Sequence, residues 1–255
     1  MKHLIINADD FGYSKAVNLG IMESHINGVL TSTTLMANMP DVDHAVSLLK
    51  DMPNLCVGAH LTLTCGKPML GEKVSTLIKE NGYFLKLEDV ENKVVQMDIS
   101  EIYEEWKTQI RYLLNKGVNL SHIDSHHHVH TFKEHEEIIK VLSEEFNLPV
   151  RNCNNVLENK IRFLDLCNYN PIRNMEEKYE NVRIECFKVI EEIIKKNIQY
   201  ENTEAMCHPA FLDSYLLENS SFNIARIREV DILCDQLMRD LINKYEIKLC
   251  NYKNI

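Results

Sequence analysis

The ten residues from Ser121 to His130 hold five of the chain's eleven histidines, with Asp124 among them. Imidazole is the commonest protein metal ligand and it titrates near neutral pH. The stretch is therefore first a metal-site candidate and second a source of acid–base groups. Leu120 and Ile123 alternate with polar residues just ahead of the run. That pattern predicts a short strand delivering histidines to one end of a sheet, where a solvated polar loop would have no apolar lead-in. If the run stays extended, His126, His128 and His130 share a face; if it turns helical, His126 and His130 do. Both cases favour His126 and His130 over His127. Asp124 or His122 would then hold a ligand imidazole through its other nitrogen.

Three further clusters carry the same kind of chemistry. Asp9-Asp10 follows the aliphatic run Leu4–Ile6, His60 follows Gly58-Ala59 within the apolar segment 55–63, and His208-Pro209 follows Ala205-Met206-Cys207. Taken singly, each has a plain structural reading. Twin acids suit the positive end of a following helix, and one histidine in an apolar strand is a satisfied core residue. Taken together, all four clusters sit at or just past the C-terminal ends of predicted strands. In an α/β barrel those ends converge on the face where the chemistry occurs. One carboxylate with two imidazoles leaves coordination positions open for water and substrate, as a catalytic rather than a closed structural site requires.

The elements that must position these residues are legible in outline. Ser14 starts a helix running to about Asn27, segment 30–36 reads as a second strand, and Asp41 starts a second helix. Segment 65–98 is punctuated by glycine, proline and asparagine. It reads as a long insertion with a hairpin, placed as a lid or substrate wall. Ile102, Trp106, Ile110 and Leu113 make the stripe of a helix that starts at Asp98 or Ser100 and stops at Gly117. A helix through Ile138–Phe146, a short strand 148–151, a helix through Val182–Ile193, one last helix carrying Val230 to Leu241 and a closing strand 247–250 follow. Residues 152–175 show no clear period. Alternating strands and helices predict a parallel α/β sheet or barrel with helices outside. No repeat or linker divides residues 1–255, which read as a single domain.

Composition excludes several classes. The chain of 255 residues is 45% hydrophobic and 26% charged, enough for a full core. Its net charge of -10 argues against a nucleic-acid binder, which would show basic clustering. No apolar run has the length of a membrane span, and the N-terminus is not a secretory signal, so the cytoplasm is the expected compartment. The eight cysteines form no CxxC pair and read as reduced, mostly buried hydrophobes.

At its motifs the sequence resembles the YdjC-type carbohydrate deacetylases, also called chitooligosaccharide deacetylases. The matching segments are Asn7-Ala8-Asp9-Asp10-Phe11-Gly12, Thr31-Ser32-Thr33-Thr34, Gly58-Ala59-His60, His122 through His130, and Met206-Cys207-His208-Pro209-Ala210-Phe211. They span nearly the whole chain; segments 65–98 and 152–180 match no motif. The resemblance implies a distorted (β/α) TIM-like barrel and one divalent metal ion, with His60 and His126 as ligands. By similarity to the wider polysaccharide deacetylases it makes Asp9 the base and Asp10 the third ligand. Magnesium is the usual metal of the family, whereas two imidazoles and a carboxylate suit zinc. Family members often form homodimers, and the resemblance implies one here.

The activity implied is removal of N-acetyl groups from small amino-sugar oligosaccharides such as di-N-acetylchitobiose. His208 is expected to protonate the leaving amine, with His130 as the alternative acid or a substrate contact. Arg151, at a strand end, is expected to touch the sugar or to orient Asp9. Phe11 and Phe211 read as core residues more readily than as sugar platforms. Two other readings stand beside this one: a phosphoesterase-like metal hydrolase, and a metal- or sugar-binding protein without turnover.

Overall fold

β1 (His3–Phe11) is the strand on which the molecule is built, and it is buried along almost all of its length. In the computed structural model of the chain, residues 2–93, 96–152, 161–166 and 170–255 are described. The other strands are β2 (Ser32–Leu35), β3 (Cys56–Leu61), β4 (Leu120–Ser125), β5 (Ile161–Asp165), β6 (Asn202–Cys207) and β7 (Lys248–Leu249). They form one all-parallel sheet in the order β4-β3-β2-β1-β6-β5. β7 pairs with His3 and Leu4 at the foot of β1, below the point where β2 begins to pair with it.

The sheet is curled into a half-barrel. Beyond β4, residue Val150 makes a parallel bridge to Ile123, which is all that forms of the strand predicted at 148–151. The neighbouring Asn152 Nδ2 donates to the carbonyl of Ile161 on β5, at the opposite edge, over 3.2 Å. The expected TIM-like barrel is thus present as a curled parallel sheet with helices, and no continuous strand joins its two edges among the described residues.

Strand alternation explains why the site faces inward. Leu4, Ile6 and Ala8 join the large apolar core together with residues from the helices. Ile5 instead joins Cys56, Ile161, Cys250 and Tyr252 in a small separate cluster. Since side chains alternate along a strand, Ile5, Asn7 and Asp9 line the concave side. The inner face is therefore apolar at its foot and polar towards the C-terminal ends of the strands.

The helices that return the chain are α1 (Lys15–Ile26), α2 (Val42–Leu48), α3 (Leu87–Lys93), α4 (Ile99–Asn115), α5 (Glu136–Phe146), α6 (Asn170–Arg173), α7 (Tyr179–Asn197), α8 (Ser214–Asn219), α9 (Ala225–Cys234) and α10 (Gln236–Lys244). Ser14 caps α1 by accepting from the Val17 amide, and Asp98 caps α4 by accepting from Ser100. Asp41 precedes α2 without capping it; its carboxylate takes the Lys15 amide instead. The single last helix expected across 230–241 is two helices. Asp235 is extended and accepts from the Leu237 amide, so it ends one helix and caps the next.

The insertion 65–98 contains an Ile78–Phe84 antiparallel bridge in place of a full hairpin, followed by α3. β5, with an exposed Arg162 and weak alternation, lies in the stretch where the sequence shows no period. No described helix is long and apolar enough to cross a membrane. The six described cysteines are free, and Cys153 and Cys167 lie outside the described residues.

Candidate active site

Two neighbouring carboxylates open the site. A regular strand would send Asp9 and Asp10 to opposite faces. Asp10 instead adopts a left-handed backbone, φ 69°, and the pairing of β1 with β2 slips between Ala8 and Phe11. Aspartate is among the few residues that enter this region at modest cost. The kink turns both carboxylates towards the same cavity.

Asp10 Oδ1 lies 2.9 Å from His126 Nδ1 and 3.4 Å from His60 Nε2. One donor atom from each of Asp10, His60 and His126 falls within 4.8 Å of the others. His60 is presented by β3 and its Nδ1 lies 2.6 Å from Asp124 Oδ1 on β4. Thr34 on β2 adds a hydroxyl 3.1 Å from the same nitrogen and donates to Asp124 Oδ2 at 3.0 Å. The ring is thereby fixed with Nε2 towards Asp10, and among the described residues that buried nitrogen has no closer polar contact than the 3.4 Å to Asp10 Oδ1. Of the two residues suggested as the imidazole's holder, Asp124 does it. His122 stacks on Tyr252, away from the cluster.

Asp9 is held by Arg151, whose terminal nitrogens reach its two oxygens at 2.6 and 2.7 Å. Asn7 Nδ2 donates to Asp9 Oδ1 at 3.0 Å. Burial alone would raise the Asp9 carboxyl, but the Arg151 guanidinium outweighs it and holds Asp9 below the usual carboxylate range. Burial likewise opposes ionisation of Asp10, and Arg226 with His126 overcomes it, placing that carboxyl well below its ordinary value. Burial lowers His60, yet Asp124 and Asp10 together lift it to about 10. Two ionised carboxylates, and a His60 imidazole that carries its proton at neutral pH because of its acidic neighbours, therefore face one cavity of about 600 Å³.

His208 lines that cavity from the end of β6, with its ring edge-on to Phe222 at 5.6 Å between centroids. Its backbone amide donates to Glu229 Oε2. Burial, assisted by Arg226, lowers its imidazole to about 4, so it is neutral at neutral pH. His127 and His128 also line the cavity.

Two residues expected as substrate contacts, His130 and Arg151, lie outside the cavity lining. His130 is fully buried and outside the cavity lining. Its Nδ1 meets Ser125 Oγ at 2.6 Å and its Nε2 meets the Arg151 carbonyl at 3.3 Å. The cause is local. His127 and His128 are both left-handed, φ 56° and 54°, so the run after β4 is neither strand nor regular helix and the faces shared by 126, 128 and 130 do not form. Arg151 is 1% exposed, with its guanidinium spent on Asp9, Asp124 and Glu204. It holds both Asp9 oxygens and is not part of the cavity lining. Phe11 is in the core, while Phe211 is exposed and does not line the cavity.

Sequence reasoning missed Arg226, which donates to Asp10 Oδ2 at 2.6 Å from the first turn of α9. Its only signal is an arginine at an otherwise core-facing helix position. It also missed Glu204, a buried acid inside a strand, and the cations Lys86 and Arg173 on the cavity wall.

The fold and site together define an α/β protein whose curled parallel sheet gathers an aspartate–histidine cluster, suited to a cation, at the C-terminal ends of its strands. The chain belongs to the YdjC-like protein family, which matches residues 3–244. The resemblance seen at the motifs is borne out over the full length. A protein of Clostridium beijerinckii named carbohydrate deacetylase is 38% identical over 252 residues, 99% of each chain. One of the same name from Halalkalibacterium halodurans is 39% identical over 90% of this chain and 94% of its own. Among solved structures, an Enterococcus faecalis V583 protein described as a candidate cellobiose-phosphate cleavage protein superposes with a TM-score of 0.85. It is 32% identical, covering 99% of this chain and 98% of its own.

Proposed function

We propose that this chain is a metal-dependent carbohydrate deacetylase that removes N-acetyl groups from small amino-sugar oligosaccharides such as di-N-acetylchitobiose. The observation that carries the reading is the convergence of Asp10, His60 and His126 beside an arginine-held Asp9, in a chain that full-length relatives named carbohydrate deacetylase resemble. We further read the curled sheet as a distorted (β/α) barrel forming one domain over residues 1–255.

The three donors fit a divalent ion, zinc on softness and magnesium by family habit. His60 Nε2 is a buried nitrogen with Asp10 Oδ1 3.4 Å away, where a bound ion would replace its proton, and its other nitrogen is already fixed by Asp124. When bound, the ion supplies Lewis-acid activation of water and of the acetyl carbonyl. The protein's own residues do the rest. Asp9, ionised and locked by Arg151, accepts a proton from the attacking water. His208 gives a proton to the leaving nitrogen. Since burial holds His208 at about 4, it is neutral at rest, and the proton it gives is the one Asp9 takes from the water, passed on as the C–N bond breaks. Arg226 keeps the second Asp10 oxygen occupied, so that only Oδ1 faces His60 and His126.

Hydrolysis of a sugar phosphate is the second reading. Lys86 and Arg173 line the same cavity, and the description of the Enterococcus faecalis structure names a cellobiose phosphate. One experiment separates the two. Protein loaded with zinc or magnesium is incubated with di-N-acetylchitobiose, a panel of other N-acetyl sugars and a panel of sugar phosphates, and acetate and phosphate are both measured. Acetate release is expected. Phosphate release with no acetate would replace the deacetylase reading with the phosphatase one.

A further inference from the structure

Below Asp9, a chain of buried polar contacts leads away from the cavity to Tyr252, just beyond β7. Arg151 gives its two terminal nitrogens to Asp9, and its Nε donates to Glu204 Oε1 at 2.8 Å. The other Glu204 oxygen, Oε2, accepts the hydroxyl of Tyr252. Glu204 is 0% exposed and is absent from the cavity lining and from the candidate cation cluster. No step of the reaction described above uses it.

Tyr252 is held there by the fold. The Lys248 amide donates to the Lys2 carbonyl and the Cys250 amide to the Leu4 carbonyl, which lays the tail along the foot of β1. Tyr252 then turns under the sheet among Ile5, Cys56, Ile161 and Cys250. Its ring stacks on His122 at 3.7 Å between centroids, with 9° between planes. Gly58 makes room for that stack, because a Cβ there would lie 2.5 Å from the His122 imidazole.

Burying three carboxylates around one guanidinium is costly unless each is well bonded. Asp9 and Asp124 both belong to the site, and Glu204 calls for a separate reason. A guanidinium is flat and presents its donors in a rigid fork. Once Nε is bonded to Glu204, the plane of the fork is fixed, and so is the plane in which Asp9 is gripped.

We propose that Glu204 and Tyr252 are positioning residues for Asp9: the C-terminal tail orients Glu204, Glu204 sets the plane of Arg151, and Arg151 sets the two oxygens of the base. The proposal rests on the deacetylase reading of Asp9. It makes the tail, remote from the cavity, part of the reaction machinery.

The test uses the full chain with metal bound. Tyr252→Phe removes the hydroxyl and keeps the ring on His122; Glu204→Gln keeps the shape and removes the charge. Each is expected to lower kcat for acetate release about tenfold, because a base misplaced by a fraction of an ångström reacts far more slowly. KM is expected to stay within about twofold and metal content to be unchanged, the pattern of an interaction felt mainly in the transition state. In 15N-labelled protein the Arg151 Nε–H resonance is expected to shift in both variants. A kcat within about twofold of wild type, or a loss matched by a rise in KM or a fall in metal content, overturns the proposal. If the wild-type protein releases no acetate from any N-acetyl sugar, the deacetylase reading fails, and the resonance alone decides. A shift in both variants upholds the positioning chain, and an unshifted signal overturns it as well.

Discussion

Asp9 and Asp10 are adjacent but answer to different arginines, Arg151 from beyond β4 and Arg226 from α9. Only Asp10 is in the triad with His60 and His126. This division predicts separable losses. Asp9→Asn is expected to keep bound metal and lose turnover by about 10²–10⁴-fold, the usual worth of a general base. Asp10→Asn and His60→Ala are expected to lose the metal itself, measured as metal per chain after dialysis. Loss of metal from Asp9→Asn would show the roles to be wrongly divided. At this scale the sequence was informative about residue type and poor about direction. That Asp9, Asp10, His60, His126 and His208 share one cavity was readable from their places after apolar runs. That His130 lies outside it was not, because two successive left-handed histidines decide its fate and only the folded turn shows them. Arg226 was hard to read for another reason: its partner is 216 positions away, and its core-facing place on a helix does not say which acid it meets.

At the level of elements, the site depends on how closely α1 lies against the chain that leaves β6. Gly20 sits on the buried side of α1, where a Cβ would lie 2.5 Å from the Cα of Ala210. The Phe211 amide donates to the Ala16 carbonyl, and the Ala210 amide to the Arg226 carbonyl. Segment 208–211 therefore joins α1, the start of α9 and His208. On helix propensity alone, Gly20→Ala would stabilise the protein by up to about 1 kcal/mol. Overpacking against a backbone atom costs about 1–3 kcal/mol and should win. The variant is expected to have a lower urea midpoint and reduced kcat, and an unchanged or higher midpoint would mean that the helix moves aside without cost. Gly58→Ala should behave similarly through His122. Two helices opened by side-chain caps, α1 and the strongly striped α4, were predictable within a residue or two from Ser14 and Asp98. β5 was not, because its side chains are only partly buried and its pairing with β6 is a long-range choice. The break at Asp235 was also hidden, since the apolar spacing continues across it.

The whole molecule stores its histidines in an unusual way, and its response to acid should show it. His122 and His130 are fully buried in neutral form. Desolvation lowers both from the ordinary 6.5 to about 3. A histidine depressed in this way binds its proton more readily in the unfolded chain. Its stabilising contribution is complete above 6.5 and disappears as pH falls from 6.5 towards 3. Asp9, Asp10 and Asp124 are depressed as well, and their contribution, complete above the ordinary 3.8, is lost only at lower pH. The histidines should therefore unfold the protein first. Each contributes a slope of up to about 1.4 kcal/mol per pH unit within its window. Composition gives eleven histidines and a net charge of -10 but does not say which imidazoles are buried, so this behaviour follows from the fold alone. His122 is the better probe because its Nε2 has no hydrogen-bond partner among the described residues, its Nδ1 meets the neighbouring Ser121 hydroxyl, and its ring has Tyr252 to stack on. In urea titrations at fixed ionic strength, with a chelator present so that metal release does not contribute, wild-type stability is expected to fall steadily below about pH 6.5. His122→Phe should keep the stack, remove the proton and flatten that limb by about 1.4 kcal/mol per pH unit. An equal slope in the variant would mean that His122 is already protonated in the folded protein, and the buried neutral imidazole beneath the site would have to be abandoned.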